Sequence, residues 1–200
     1  MIRIFVAIAL PEKVLKKLEE IIGELRQLSL EGRFLDSRSI HLTLKFLGNV
    51  EEEQIPHING ALEKSAQGIA PFDLKIQRIN VVPNLRNPRV VWMGVNGSEA
   101  LGELRERIER RFEEIGFPRE TREFKPHLTL LRIKGGKNLE KLVNYIETQG
   151  VIQREIVVVG ADEVHLYQSI LKPSGAEYRK RARVELSGGD REVSCSVIGV

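Results

Sequence analysis

One four-residue sequence, His-Leu-Thr-Leu, occurs twice in this chain, at residues 41–44 and 127–130, and constrains the fold more than any other feature. Each copy lies in a run of alternating apolar and polar residues, which is the pattern of a half-buried β-strand. Side chains on a strand point to opposite faces in turn, so each copy should place its His and Thr on one face and its leucines on the other. The repeat therefore predicts two matched strands, each with a polar and an apolar face.

A single copy of this pattern would be explained by an ordinary core strand in which a His has a hydroxyl neighbour. Two identical copies are hard to explain in that way, because the chain contains only four His residues. We therefore interpret both copies as functional. His41 and His127 are the candidate catalytic residues, and Thr43 and Thr129 are the candidate substrate-binding residues.

Strand periodicity also makes predictions for the residues that follow the first copy. Lys45 falls on the His41 face, where it could contact a phosphate, and a solvated lysine is an equal alternative. Phe46 falls on the apolar face, so we expect it in the core, although a ring at the edge of a cleft could stack on a base.

Four other residues are weaker candidates. Arg3 and Tyr178 could reach a cleft from neighbouring strands. His57 and His165 have no Thr two residues later, so we expect each to be a structural or surface residue.

The composition favours a cytoplasmic protein that binds neither a membrane nor a structural metal. Cys195 is the only cysteine, which excludes an internal disulfide and fits a reducing cytosol. No stretch approaches the roughly 20 apolar residues of a membrane span, and we interpret the apolar start of the chain as a strand rather than a signal peptide. A net charge of +3 and a pI near 9.0 are compatible with RNA but do not demand it.

The order of the predicted elements repeats along the chain. The first half predicts a strand over residues 2–9, a helix from Pro11, a loop, a motif strand and a helix to about residue 67. The second half predicts a hairpin over 72–95, a helix over 98–115, a loop over 118–126, a motif strand and a helix over 138–149. Three further strands are predicted over 155–159, 162–171 and 177–186.

This repeat predicts an α+β fold of the duplicated, bilobal kind. Two lobes related by a pseudo-twofold axis would each hold a mostly antiparallel sheet with helices packed outside, and a cleft would lie between them. We expect residues 1–186 to form one domain of two intertwined lobes. Residues 187–200 would be a tail that could add one strand.

Two imidazoles that face each other across a cleft form a general acid and a general base, because the unperturbed pKa of His lies near neutrality. That pair suits in-line substitution at phosphorus, in which the attacking and leaving oxygens lie on opposite sides. The two Thr hydroxyls could donate hydrogen bonds to the non-bridging oxygens. No carboxylate cluster accompanies the histidines, so the site needs no metal, and no nucleophile motif of the GxSxG type occurs.

The paired motifs resemble those of the two-histidine (2H) phosphoesterase superfamily. Four stretches, RIFVAIALP, HLTLKFLGNV, PHLTLLR and HLYQSILKPSGAEY, are similar to its RNA 2′,3′-cyclic phosphodiesterase branch, also called 2′-5′ RNA ligase. The resemblance implies hydrolysis of a 2′,3′-cyclic phosphate at an RNA end to a 2′-phosphomonoester, without metal or cofactor. His41 would protonate the departing 3′ oxygen, His127 would activate water, and the two threonines would hold the phosphate. The reverse reaction would join RNA ends through a 2′-5′ bond.

The same resemblance implies that Arg132, five residues after His127, contacts the phosphate. Strict alternation would place Arg132 on the face opposite His127, so this role requires a bulge, a twist or a strand end. A solvated surface arginine is the alternative.

The partner implied is RNA with a 2′,3′-cyclic phosphate end, with tRNA-like fragments as one candidate, and we expect a monomer. Three alternatives remain open at this point. The chain could act on a small cyclic phosphate such as ADP-ribose 1″,2″-cyclic phosphate, or cleave 2′-5′ oligonucleotides. It could also be a non-catalytic module that binds RNA ends.

Overall fold

The computed structural model describes residues 1–96, 98–149, 157–172 and 175–189. The strands in these ranges are β1 (Ile2–Ala9), β2 (Gly32–Phe34), β3 (His41–Val50), β4 (Phe72–Val82), β5 (Val90–Asn96), β6 (His127–Ile133), β7 (Val157–Ala161), β8 (Glu163–Lys172) and β9 (Gly175–Glu185). The α-helices are α1 (Glu12–Gln27), α2 (Ile55–Ala66), α3 (Glu99–Glu113) and α4 (Leu139–Gln149).

The strands form two antiparallel sheets, and each sheet contains one copy of the motif. The first sheet has the strand order β3-β1-β8-β9, and the second has the order β2-β6-β5-β4-β7. The first motif begins β3, and the second begins β6. The predicted α+β fold, with two lobes of antiparallel sheet, is confirmed.

The two motif strands have equivalent neighbours. β3 pairs with β1 and β6 pairs with β5, in both cases antiparallel. In each pair, one α-helix lies between the two strands along the chain. The lobes are interleaved along the chain, because β2 from the first half pairs with β6, and β8 and β9 extend the first sheet. The sequence predicts a loop where β2 lies, since three residues are too few to show a strand period.

The leucines of both motifs point into one continuous hydrophobic core. Leu42, Leu128 and Leu130 are fully buried, and Leu44 is 2% exposed. The apolar stripes of the helices pack against the same core, as their 3.6-residue periodicity predicts. The apolar face of each motif strand is therefore anchored, which leaves its His and Thr on the opposite face.

A β-bulge in each motif strand changes which of the following residues share the His face. Thr43 lies opposite Ala7, but Lys45 lies opposite Val6, so Leu44 is the extra residue. In β6 the pairing with β5 skips Leu130 in the same way. Because a bulge adds one residue to one strand, the alternation of side chains reverses after it.

The bulge in β3 makes two predictions wrong. Lys45 leaves the His41 face and is buried, with 4% of its surface exposed. Phe46 leaves the core face, is 62% exposed, and lies with its ring centroid 5.6 Å from that of Phe5. Strict alternation assigns both residues to the wrong face, because the bulge depends on pairing with β1.

Two further predictions concern the C-terminal end of the chain. The extra strand predicted in the tail falls on residues 193–200, which lie outside the described residues. The division into a domain of residues 1–186 and a tail stays a prediction. No helix in the described ranges is long and apolar enough to cross a bilayer.

Candidate active site

Residues from both motif strands line a cavity of about 620 Å³. The lining residues from β3 are Thr43, Leu44, Lys45 and Phe46, and those from β6 are His127, Thr129 and Arg132. The remaining lining comes mainly from β5 and from the loop over residues 118–125. His41 is not among the lining residues, but it lies on the same strand face as Thr43, two residues away. The structure thus brings together the threonines of both motifs and one of the two histidines.

The histidine of the second motif is exposed at this cavity. Its Nδ1 lies 2.7 Å from the carbonyl oxygen of Lys125, two residues earlier. The Trp92 ring meets the imidazole edge-on, with centroids 5.0 Å apart. Gly94 lies directly opposite His127 on β5, so the strand carries no side chain there.

The histidine of the first motif lies against three aromatic rings. Its Nδ1 lies 2.8 Å from the carbonyl oxygen of Ser39, again two residues earlier. The imidazole stacks on Phe5, with centroids 4.7 Å apart, and meets Tyr178 edge-on at 4.9 Å. Tyr167 stacks on Phe5 at 5.4 Å and lies 6.0 Å from the imidazole itself. These rings hold the imidazole of His41 in one orientation.

The shared hydrogen bond determines which ring nitrogen can take part in proton transfer. A carbonyl oxygen only accepts hydrogen bonds, so Nδ1 of each histidine must carry the proton and donate it. The neutral tautomer then has its lone pair on Nε2. Each motif therefore presents an Nε2 that can accept a proton, or donate one when the ring is charged.

The environment of His41 makes its charged form unfavourable. Burial among the aromatic rings lowers the pKa of His41 from 6.5 to about 4, and the hydrogen bond to the Ser39 carbonyl offsets only part of this effect. The imidazole is consequently neutral at pH 7 in the free protein. An anion bound beside it would raise this pKa, because opposite charges favour the protonated form.

Arg132 occupies the position that its predicted role requires. The bulge at Leu130 turns Arg132 to the His127 face, where it is exposed and lines the cavity. Phe46 is the equivalent residue of the first motif, and it lines the same cavity. The structure therefore places an arginine and an aromatic ring at matching positions of the two motif strands.

Lys45 lines the cavity but is held in a buried ion pair, so a contact between Lys45 and phosphate stays a prediction. Its Nζ lies 2.5 Å from Glu109 Oε2 on α3 and donates to the Pro118 carbonyl oxygen at 2.8 Å. Glu109 also pairs with Arg105 and accepts from the backbone N–H of Glu120 at 3.2 Å. Burial, with the Arg105 guanidinium nearby, lowers the pKa of Lys45 to about 8, which leaves the ammonium charged at pH 7.

The weaker candidates lie in different environments. Tyr178 contacts His41, whereas Arg3 is exposed on β1 opposite Ser169 of β8. His57 is an exposed residue of α2. His165 is fully buried with its Nε2 2.9 Å from Glu163, so both of these histidines have the structural or surface roles predicted for them.

Sequence reasoning missed the residues that orient the two imidazoles. Phe5, Tyr167 and Trp92 lie on strands that pair, directly or through one neighbour, with a motif strand. Their side chains share a face with the motif histidines, which only the register between strands reveals. Across the described ranges, no group of three or more His, Cys, Asp and Glu side chains is placed to hold a metal ion.

Comparison with known proteins gives one consistent result. The family model described as the 2′-5′ RNA ligase superfamily matches residues 14–168. An RNA 2′,3′-cyclic phosphodiesterase of Methanothermobacter thermautotrophicus is 34% identical over 88% of this chain and 95% of its own length. A protein of the same name from Thermotoga maritima is 30% identical over 94% of this chain and 97% of its own length.

Solved structures with the same fold include two that are 26% and 25% identical to this chain. The protein TT0787 of Thermus thermophilus superposes with a TM-score of 0.75 and 26% identity, covering 93% of this chain and 98% of its own. Escherichia coli LigT complexed with 3′-AMP superposes with a TM-score of 0.70 and 25% identity, with the same coverage. Both share the arrangement of sheets and helices described above.

Proposed function

Because the chain belongs to the 2′-5′ RNA ligase superfamily, we propose that it hydrolyses 2′,3′-cyclic phosphates at RNA 3′ ends to 2′-phosphomonoesters. The observation that supports this most directly is the matched pair of histidines. Each donates its Nδ1 proton to the carbonyl two residues earlier, which leaves two Nε2 atoms for proton transfer. A binding module would need neither.

In the proposed reaction, water attacks phosphorus on the side opposite the 3′ oxygen. Nε2 of His127 takes the proton of the water as the new P–O bond forms. The bond from phosphorus to the 3′ oxygen breaks, and Nε2 of His41 donates a proton to that oxygen. The phosphate remains on the 2′ oxygen, and the two histidines have exchanged protonation states.

The assignment of His41 as the acid requires it to be protonated when substrate is bound. Its pKa of about 4 in the free protein means that the proton must be taken up with the substrate. The negative charge of the cyclic phosphate supplies the reason, because it stabilises the imidazolium next to it. Which histidine is acid and which is base is carried over from the family resemblance.

The other site residues would hold the substrate. Thr43 and Thr129 line the cavity and could donate hydrogen bonds to the two non-bridging oxygens. The exposed Arg132 would balance the charge that develops on them. Phe46 would stack on a base beside the phosphate. With an RNA 5′-hydroxyl in place of water, the reverse reaction would form a 2′-5′ bond.

The proposal extends to partner, compartment and assembly. A pI of 9.0 fits a polyanionic partner, for which tRNA-like fragments are one candidate. A single cysteine fits the cytoplasm, and we propose a monomer, which sedimentation would test.

The direct test follows the product of a short RNA that ends in a 2′,3′-cyclic phosphate, incubated in EDTA. We expect a 2′-phosphate product from the unmodified protein and a loss of at least about 100-fold in kcat for His41→Ala and for His127→Ala. His57→Ala, at the exposed histidine of α2, is the matched control and should retain full activity.

Three outcomes would contradict the proposal. RNA binding without turnover would favour a binding module. Turnover of small cyclic phosphates alone would favour the small-substrate alternative. Activity lost only in EDTA would indicate a metal-dependent reaction.

A further inference from the structure

Two arginines lie directly opposite each other on the edge of the second sheet. Arg33 of β2 pairs with Arg132 of β6, and the neighbouring pairs are Phe34 with Leu131 and Gly32 with Ile133. Residues opposite each other in an antiparallel pair point to the same face, with Cβ atoms about 4.5–5.5 Å apart. Phe34 and Leu131 contact the core, so Arg33 and Arg132 share the opposite face, which is the face of His127 and Thr129.

Among the described residues, Arg33 and Arg132 have no counter-charge. Both side chains are exposed, and neither has a carboxylate within ion-pair distance in the part of the chain that the structure describes. Like charges placed directly across a strand pair destabilise the sheet. An arrangement that costs stability in the free protein points to an anion that the two guanidinium groups bind.

The edge strand that carries Arg33 is held close to β6. A Cβ atom at Gly32 would lie 2.7 Å from the carbonyl oxygen of Arg132 and 2.8 Å from a methyl carbon of Leu131. Only glycine permits this approach. The backbone beside Arg33 is therefore packed tightly against the strand that contains the second motif.

Arg132 lines the cavity, whereas Arg33 lies next to it on the outer side, towards the edge of the sheet. An RNA whose terminal phosphate lies in the cavity must leave it in some direction. The Arg33–Arg132 pair indicates the direction in which the RNA leaves, because a guanidinium group binds phosphate through two parallel hydrogen bonds. Contacts of this type position a nucleic acid without reading its sequence.

We propose that Arg33 binds the phosphodiester immediately 5′ of the terminal nucleotide, next to the cyclic phosphate that Arg132 contacts. The inference rests on the proposed function and adds a second phosphate subsite to it. It makes the protein selective for an RNA end over a free mononucleoside cyclic phosphate.

The test compares three substrates: adenosine 2′,3′-cyclic phosphate, a dinucleotide with the same end, and that dinucleotide with a neutral methylphosphonate link. For Arg33→Gln we expect kcat/KM on the charged dinucleotide to fall about tenfold, with the other two substrates changed less than about twofold. For the same variant and substrate, the slope of log(kcat/KM) against log[salt] should become less negative by about 0.7. This is the value expected for the loss of one phosphate contact to a single strand. Arg33→Lys should restore part of the rate, and Arg179→Gln, an exposed arginine on the other sheet, is the matched control.

The outcomes separate this inference from the function on which it rests. If the unmodified protein hydrolyses all three substrates but Arg33→Gln affects none of them, or all of them equally, the second subsite is wrong and the function stands. If the unmodified protein hydrolyses none of them, the proposed function fails and the subsite fails with it.

Discussion

The ammonium group of Lys45 and the carboxylate of Glu109 form a buried ion pair, with Nζ 2.5 Å from Oε2. This pair joins the strand of the first motif to α3. Glu109 also accepts from the backbone N–H of Glu120, and Lys45 donates to the Pro118 carbonyl. The pair therefore connects the first motif to the loop that leads into the second.

This geometry predicts unequal costs for removing the two partners. Glu109→Gln removes the carboxylate that pairs directly with both Lys45 and Arg105, and we expect a loss of about 3–5 kcal/mol in the free energy of unfolding. Lys45→Met leaves Glu109 paired with Arg105 and should cost clearly less. Urea denaturation measures both, and Glu114→Gln at an exposed pair is the control. Equal losses for both variants would contradict this account.

Phe46 should contribute to RNA affinity and little to stability. Because its ring is 62% exposed, Phe46→Ala removes little buried surface. Stacking on a base is worth about 1–3 kcal/mol, so we expect KM to rise about 5- to 150-fold with kcat nearly unchanged. Phe46→Trp should retain affinity, and Leu171→Ala, at a residue 72% exposed on β8, should have no effect. An unchanged KM for Phe46→Ala would exclude stacking.

The two threonines should act on the reaction rather than on the fold. Thr43→Val and Thr129→Val keep the shape of the side chain but remove the hydroxyl donor. Loss of one donor to the charge that develops on phosphate typically costs about 100-fold in kcat, which is the loss expected for each variant. Thr148→Val on α4, away from the cavity lining, is the control. A rise in KM without a fall in kcat would show that the hydroxyls bind substrate without favouring the transition state.

The low pKa of His41 predicts how stability changes with pH. Its pKa is 6.5 when unfolded and about 4 when folded, so the unfolded chain binds more protons between these values. Stability is therefore fully present above pH 6.5 and falls as pH decreases towards 4, by at most about 3 kcal/mol from this residue. His165, whose pKa burial also lowers, contributes in the same direction. His41→Asn should make the fall between pH 6.5 and 4 shallower in denaturation curves, and an unchanged slope would contradict the assignment.

Local patterns in the sequence were enough to predict the fold class and to nominate four candidate site residues. Alternation predicts β1 over its full length, and the helical stripes predict the four helices to within a few residues. The repeated motif identifies His41, Thr43, His127 and Thr129. These features follow from the sequence because side-chain direction within a single strand or helix depends only on local backbone geometry.

Only the tertiary structure decided which residues complete the site. The bulges at Leu44 and Leu130 exist because β3 and β6 pair with β1 and β5 in a register that skips one residue. That pairing buries Lys45 in an ion pair at the wall of the cavity and turns Phe46 and Arg132 towards the cavity. The Arg33–Arg132 pair likewise joins positions far apart in the chain, and no local period contains that information. A strand's own sequence determines its two faces, but the hydrogen-bond register with its neighbour determines where those faces reverse.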